Sequence, residues 1–396
     1  MSGIGMNDRC IVCQSDNVDP FLEINQVPVF CNVISPTRVG ALSIPRGDIN
    51  LASCSECGHI FNLDFNAELM DYHQEYENSL HFSAEFNQYA DVIASDLVER
   101  FGLRGADVLD IGCGDGEFLK LVCKLGENRG VGLDPSYKPG FGKSSPTQEL
   151  GDIYIIGDAY SDQYNHVKAD FIICRHVLEH LENPAELLFR ISSALKNKSK
   201  SGAYFEVPNM EYIVEDLSIW DIIYEHCSYF SRASLSRLVE SCGFKSQKLN
   251  LGFGNQYICL DVTGASAESE YPREVKHPFP QDLNAFARDY KNKVDWWRRK
   301  ILALQSYDAR IVIWGAGSKG VTFSNMIGLD AKVQYIVDIN PRKQGNFIPG
   351  TGQRIVSPKF LQEYCPDTVI LMNPVYKDEV VESIRRLGIS TDVLVA

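Results

Sequence analysis

Between residues 108 and 262 short apolar runs recur at regular intervals, separated by polar stretches with helical spacing. Residues 108–111, 130–133, 152–156, 171–174, 203–207, 246–251 and 256–262 have the length and composition of strands. Just ahead of them Phe86, Tyr89, Ala90, Ile93, Leu97 and Val98 fall three or four apart, which predicts a helix packed on the sheet by one apolar face. Alternating strands and helices, with a late hairpin, predict a doubly wound α/β sheet. The pattern then restarts. Phe286, Tyr290, Val294, Trp297 and Ile301 mark a long helix over 283–304, followed by strands at 310–314 and 333–337. Residues 265–285 between the two units are rich in Ser, Glu and Pro, as a linker is. The resulting division is 1–75, 76–264 and 265–396.

The first strand runs into Asp110-Ile111-Gly112-Cys113-Gly114-Asp115-Gly116. A loop built for pyrophosphate presents backbone N–H groups and avoids nearby acids. Here Asp110 and Asp115 sit in the turn, and Asp134 ends the second strand, a pattern suited to a cationic adenosyl ligand. Asp158 follows the third strand. This spacing resembles that of the class I S-adenosylmethionine (SAM) methyltransferases. The resemblance implies that Gly112, Gly114 and Gly116 let the backbone approach the methionine and ribose, that Asp134 binds the ribose hydroxyls, and that Asp158 lies where adenine is contacted. After the fourth strand comes Arg175-His176-Val177-Leu178-Glu179-His180. Ligands of such sheets lie at the carboxyl ends of the strands, so His176 and His180 are candidates for cofactor or substrate contact. Metal binding and plain packing are the other readings.

Composition narrows the field. A chain of 396 residues, 44% hydrophobic, holds two or three domains. A formal charge of −14 argues against nucleic acid or an anionic membrane surface as partner. No run reaches the roughly 18 apolar residues that span a bilayer, and the N-terminus has no signal-peptide pattern, so a cytoplasmic protein is expected. In that compartment the twelve cysteines read as metal ligands or small buried residues rather than disulfides. Cys10-Ile11-Val12-Cys13 and Cys54-Ser55-Glu56-Cys57 form two C-x2-C knuckles able to converge on one structural Zn²⁺. A redox dithiol is the rival reading, with a single C-x-x-C at a helix start as its usual form. His59 is a bystander beside the second knuckle, and Cys31 is expected to be buried.

After the fifth strand, residues 220–231 read Trp-Asp-Ile-Ile-Tyr-Glu-His-Cys-Ser-Tyr-Phe-Ser, an acid beside an imidazole in an aromatic setting. Such an imidazole can take a proton from a weakly acidic carbon or hydroxyl, and a neighbouring carboxylate can orient it. A surface loop can also hold these residues without purpose. Together with the knuckles and the second α/β unit, the segment resembles the zinc-containing sugar C-methyltransferases of deoxysugar pathways, which methylate the carbon beside the ketone of a nucleotide-linked 4-keto-6-deoxysugar. The resemblance implies that His226 is the base, with Glu225 as its partner or a substrate ligand, and that His180 and Tyr76 belong to the pocket. One departure is plain. The family pattern Tyr-His-Glu-His is one residue short here, so Tyr224 stands at the family's histidine, which makes it a further candidate catalytic residue, and Ile223 at its tyrosine.

In the C-terminal unit Gly315-Ala316-Gly317-Ser318-Lys319-Gly320 follows a strand, and Asp338 ends the next. Alone this is a dinucleotide fingerprint, but too little chain follows for a cofactor domain plus a catalytic one. The resemblance implies instead a second Rossmann-like domain that holds the nucleotide end of the substrate, with Ser318 and Lys319 at the diphosphate. The segment from Pro341 to Gly345 resembles the loops of this domain or is turn chemistry alone. The expectation is therefore an α/β enzyme with a zinc-stapled N-terminal lobe and two Rossmann-like domains, using SAM on a small-molecule substrate. O- or N-methylation of a saccharide or other small metabolite, and a nucleotide-binding assembly protein with SAM as a structural ligand, are the alternatives.

Overall fold

Strands with apolar residues on both faces must be covered on both sides, and that requirement organises this chain. The computed structural model describes residues 9–70, 76–137, 153–195, 201–264, 278–328 and 333–396. The N-terminal lobe is an antiparallel meander of β1 (Val18–Pro28), β2 (Arg46–Cys54) and β3 (Ile60–Asn62). The large sheet follows with β4 (Asp107–Ile111), β5 (Arg129–Leu133), β6 (Ile153–Ile156), β7 (Phe171–Arg175) and β8 (Gly202–Pro208), all parallel. A short strand, β9 (Ser228–Tyr229), leaves this sheet, and β10 (Phe244–Gly252) and β11 (Tyr257–Gly264) return to it as the expected antiparallel hairpin. Its order is β10-β11-β8-β7-β4-β5-β6, so the chain reverses direction at β4 and opens a crevice there. The expected doubly wound sheet is borne out; residue 152, at the head of the third expected strand, lies outside the described residues.

The third sheet, β12 (Ile311–Trp314), β13 (Tyr335–Val337), β14 (Arg354–Val356), β15 (Thr368–Leu371) and β16 (Asp392–Val395), is fully parallel in the order β14-β13-β12-β15-β16. It too reverses at its first strand. The helix Leu283–Ser306 buries Phe286, Tyr290, Val294, Trp297 and Ile301, the residues whose spacing marked it, and its start is capped by the Asp282 side chain. Residues 265–277 of the expected linker lie outside the described residues.

The three units share cores. β9 pairs with β3, Ile60 opposite Tyr229 and Phe61 opposite Ser228, so the segment after the fifth strand completes the N-terminal sheet. One apolar cluster joins Val29 and Phe30 of the lobe, Trp220 and Ile222 of that segment, and Phe323 and Ile348 of the C-terminal domain. Tyr224 is packed in this cluster against Gly47, where an added Cβ would stand 2.3 Å from the ring. Gly47→Ala is therefore expected to cost about 1–3 kcal/mol by overpacking, read as a fall in the denaturation midpoint.

Candidate active site

The crevices of the two parallel sheets open into one cleft of about 770 Å³, lined by both glycine-rich loops. In the first loop Gly112 has φ +75, and a Cβ there would meet Val177 at 2.2 Å. Gly116, φ +73, begins the helix Glu117–Gly126 and backs onto Ile155 rather than facing the cleft. The Gly114 N–H donates to Asp134 Oδ2 (2.7 Å), while Oδ1 accepts from the Ser136 N–H (2.8 Å) and hydroxyl (2.6 Å). The second acidic strand end is thus locked to the first loop. Asp110 lines the cleft almost fully buried, and desolvation pushes its carboxyl up to about 7. Asp158 stands differently: its carboxylate accepts from the Ala159 N–H, Gln163 and the Tyr164 hydroxyl, and Ala159 and Tyr160 line the cleft in its place.

His176, His180 and His226 all line the cleft. His176 adopts φ +55, and its Nε2 reaches Glu206 Oε1 at 3.0 Å and its Nδ1 Glu179 at 3.4 Å. Desolvation opposes its charge, but the two carboxylates overcome it and raise the imidazole to about 9. The His180 Nδ1–H donates to the carbonyl oxygen of Glu225 (2.9 Å), and its ring meets that of His226 edge-on at 4.9 Å. His226 is the contrasting case. Burial first, then the neighbouring His180 and His176, holds it well below the ordinary imidazole value, so the ring is neutral at pH 7.

Glu225 and Tyr224 correct two expectations. Glu225 is fully buried and its carboxylate turns from the cleft into the lobe, accepting from the Cys31 N–H (2.5 Å) and from the Tyr76 hydroxyl (2.6 Å). It fixes the corner on which His226 stands and is not the acid of an acid–imidazole pair. The Tyr224 hydroxyl accepts the Asn66 N–H (2.9 Å) and its ring stacks on Phe65, outside the cleft. Tyr76, by contrast, lines the cleft.

Across the cleft, Ser318 and Lys319 begin the helix Ser318–Ile327 and line its wall. Lys319 is ion-paired with Asp221 and donates to the Ser218 hydroxyl (3.2 Å), while Ser318 accepts from Asn32 Nδ2 (3.1 Å). Asn32, Lys343 and Arg342 also line the cleft; the sequence assigned Asn32 no role and marked Arg342 and Lys343 only as part of a loop.

Outside the lining of this cleft, Cys10, Cys13, Cys54 and Cys57 gather their sulfurs within 4.8 Å of one another. The Cys10–Cys57 and Cys13–Cys54 separations, 3.4 and 3.5 Å, are close to the ~3.8 Å edge of a tetrahedron with 2.3 Å zinc–sulfur bonds. His59 is buried beside them but packs its ring on Phe61 and Phe230 and takes no place in the cluster.

Comparison with known proteins decides the class. A family model described as a methyltransferase domain matches residues 85–249, and one described as a C-methyltransferase C-terminal domain matches residues 268–391. The chain is a SAM-dependent methyltransferase. C-methyltransferase NovU of Streptomyces niveus is 25% identical over 303 residues, covering 72% of this chain and 71% of that protein. Among solved structures, the N,N-8-amino-8-demethyl-D-riboflavin dimethyltransferase of Streptomyces davawensis is 21% identical with a TM-score of 0.37, covering 45% of this chain and 54% of that one. Magnesium protoporphyrin IX methyltransferase of Synechocystis PCC 6803, with bound SAM, is 18% identical with a TM-score of 0.35, covering 46% and 80%. Among the described residues no helix is long and apolar enough to cross a membrane.

The floor of the methyltransferase cleft rests on a residue the sequence did not single out. Glu206, fully buried on β8, accepts two bonds from Arg175 (2.7 and 3.0 Å), one from His176, and the hydroxyls of Tyr89 (2.5 Å) and Tyr204 (2.6 Å). These partners outweigh desolvation and hold its carboxyl far below the usual range. Glu206→Gln leaves the buried Arg175 charge uncompensated and is expected to destabilise by about 3–5 kcal/mol in denaturant titrations. His176 then falls from about 9 towards the ordinary imidazole value, which an NMR titration reads. The sign follows from linkage: stability from charged His176 is complete below that ordinary value and lost as pH rises through about 9, and the variant loses the share due to Glu206 while that due to Glu179 stays.

Proposed function

We propose that the methyltransferase places a methyl group on the carbon beside the ketone of a nucleotide-linked 4-keto-deoxysugar. The observation that carries this reading is the division of charge within one cleft. Asp110, Asp115 and Asp134 line the side of the first glycine loop, and Lys319 and Lys343 the side of the second, where Asp221 pairs with Lys319. A cationic donor suits the first and an anionic diphosphate the second. The C-methyltransferase character of the matched C-terminal domain and of NovU favours carbon as the acceptor.

Gly112, Gly114 and Asp134, with Ala159 and Tyr160, would hold SAM, which supplies an electrophilic methyl group and leaves as a neutral thioether. Neutral His226 takes the proton from the carbon beside the ketone. The C–H electron pair becomes the enolate that bonds the methyl carbon, and the proton stays on the imidazole until solvent removes it. Lys319 and Ser318 would meet the diphosphate. Lys319→Met is expected to raise KM for the nucleotide-linked substrate roughly 10-fold or more with kcat little changed, because it removes a charged hydrogen bond made equally in ground and transition states.

Cys10, Cys13, Cys54 and Cys57 would hold Zn²⁺ with four thiolates. That set leaves no open position, so the metal's role is structural. The test of the reaction is a mass-spectrometric screen of nucleotide-linked 4-ketosugars with SAM, with NMR of any product. A methyl group on carbon supports the reading; a methyl group on oxygen or nitrogen, or no transfer across the panel, overturns it.

A further inference from the structure

Arg342 lies in the C-terminal domain yet makes its ion pairs on the other side of the cleft. Its guanidinium is paired with Asp115 of the first glycine loop and with Glu77 (3.2 Å), and it lies over the ring of Phe82. All three charged side chains are largely shielded from solvent, 27% exposed for Arg342, 24% for Asp115 and 14% for Glu77. These pairs are therefore less screened than a surface bridge. The backbone that carries Arg342 is tied in turn to the second glycine loop. The Ala316 N–H donates to Asp338 Oδ2 (2.8 Å), and the Asn340 N–H to Asp338 Oδ1 (2.8 Å). The Arg342 N–H donates to Asn340 Oδ1 (2.9 Å), and Asn340 Nδ2 reaches back to Glu77 Oε1 (2.9 Å). Asp115 adjoins Gly114, whose N–H is held by Asp134. A continuous polar network thus runs from one glycine loop to the other through Arg342.

We propose that Arg342 is a positioning residue that couples the two ligand sites, so that a nucleoside diphosphate at the second glycine loop tightens the adenosyl ligand at the first, and the reverse. The proposal rests on the reading that the second loop takes the nucleotide end of the substrate. The physical basis is shared ordering. A ligand that fixes the Asp338–Asn340–Arg342 turn also fixes the partner of Asp115, and the second ligand to bind no longer bears that ordering cost. Linkage makes the effect reciprocal.

Calorimetric titration of S-adenosylhomocysteine with and without saturating thymidine or uridine diphosphate, and of each diphosphate with and without S-adenosylhomocysteine, tests this on the full chain. In the unaltered protein each ligand is expected to lower the dissociation constant of the other by the same factor, roughly fivefold or more. In Arg342→Met both ligands still bind and the factor falls to about one. Should that variant fail to fold, Glu77→Gln carries the same expectation. Diphosphate binding with no effect on S-adenosylhomocysteine overturns the coupling alone, and full coupling in the variant overturns the role of Arg342. No binding of either diphosphate overturns the coupling together with the reading of the second loop.

Discussion

His226→Gln is expected to bind SAM as the unaltered enzyme does while turnover falls by roughly 10²–10⁴-fold, the range of a lost general base. Glutamine keeps the bulk of the side chain and a hydrogen-bonding end but cannot accept the proton. Two measurements separate this from misfolding: calorimetric SAM affinity, which stays, and single-turnover methyl transfer, which goes. The pH profile carries the same signature. Because burial and the neighbouring His180 and His176 hold His226 well below the ordinary imidazole value, its basic form persists as pH falls past that value. The acid limb of kcat/KM should therefore lie below the usual imidazole range of about 6.5. A limb at the ordinary value would assign the base to another group. Turnover unchanged in His226→Gln would remove His226 from the reaction.

Cys54→Ala should lose both the metal and the active site, although the cluster does not line the cleft. Elemental analysis of the unaltered chain is expected to find one zinc per chain, and stripping it to cost on the order of 10 kcal/mol, the scale of structural zinc sites. The route to activity is structural. Cys54 ends β2, β2 pairs with β3, and β3 pairs with β9. The Asn62 N–H also donates to the Cys227 carbonyl (3.0 Å), directly beside His226. Loosening the knuckles frees the corner that carries His226. A chain that holds no zinc, or that keeps full turnover as Cys54→Ala, contradicts this account.

The sequence displayed the framework because its signals are local. The spacing of Phe286 to Ile301 and the β4 run into Gly112 each declare themselves within a few residues and stand in the structure as read, and the two C-x2-C knuckles bring their four sulfurs together. What stayed hidden depends on contacts between distant segments. Glu206 lies in an apolar strand and gives no sign that Arg175, His176, Tyr89 and Tyr204 converge on it. Arg342 reads as turn chemistry until Asp115 and Glu77 are seen beside it. Adjacency misled at Glu225-His226, where consecutive side chains part at a bend, one into the lobe towards Cys31 and Tyr76, the other into the cleft. The departure at Ile223 and Tyr224 has a physical reading too. Both are buried in the core shared with the lobe, and Tyr229 ties the turn by bonds of its hydroxyl to the Ile223 N–H and carbonyl.

The most direct test of proton removal by His226 dispenses with methyl transfer. A nucleotide-linked 4-ketosugar is incubated in deuterated water with the enzyme and S-adenosylhomocysteine in place of SAM, and deuterium uptake is followed by NMR. Exchange at the carbon beside the ketone is expected with the unaltered enzyme, and none above background with His226→Gln. Equal exchange by both proteins, or no exchange by the unaltered enzyme on a sugar that it methylates, would contradict proton removal by His226.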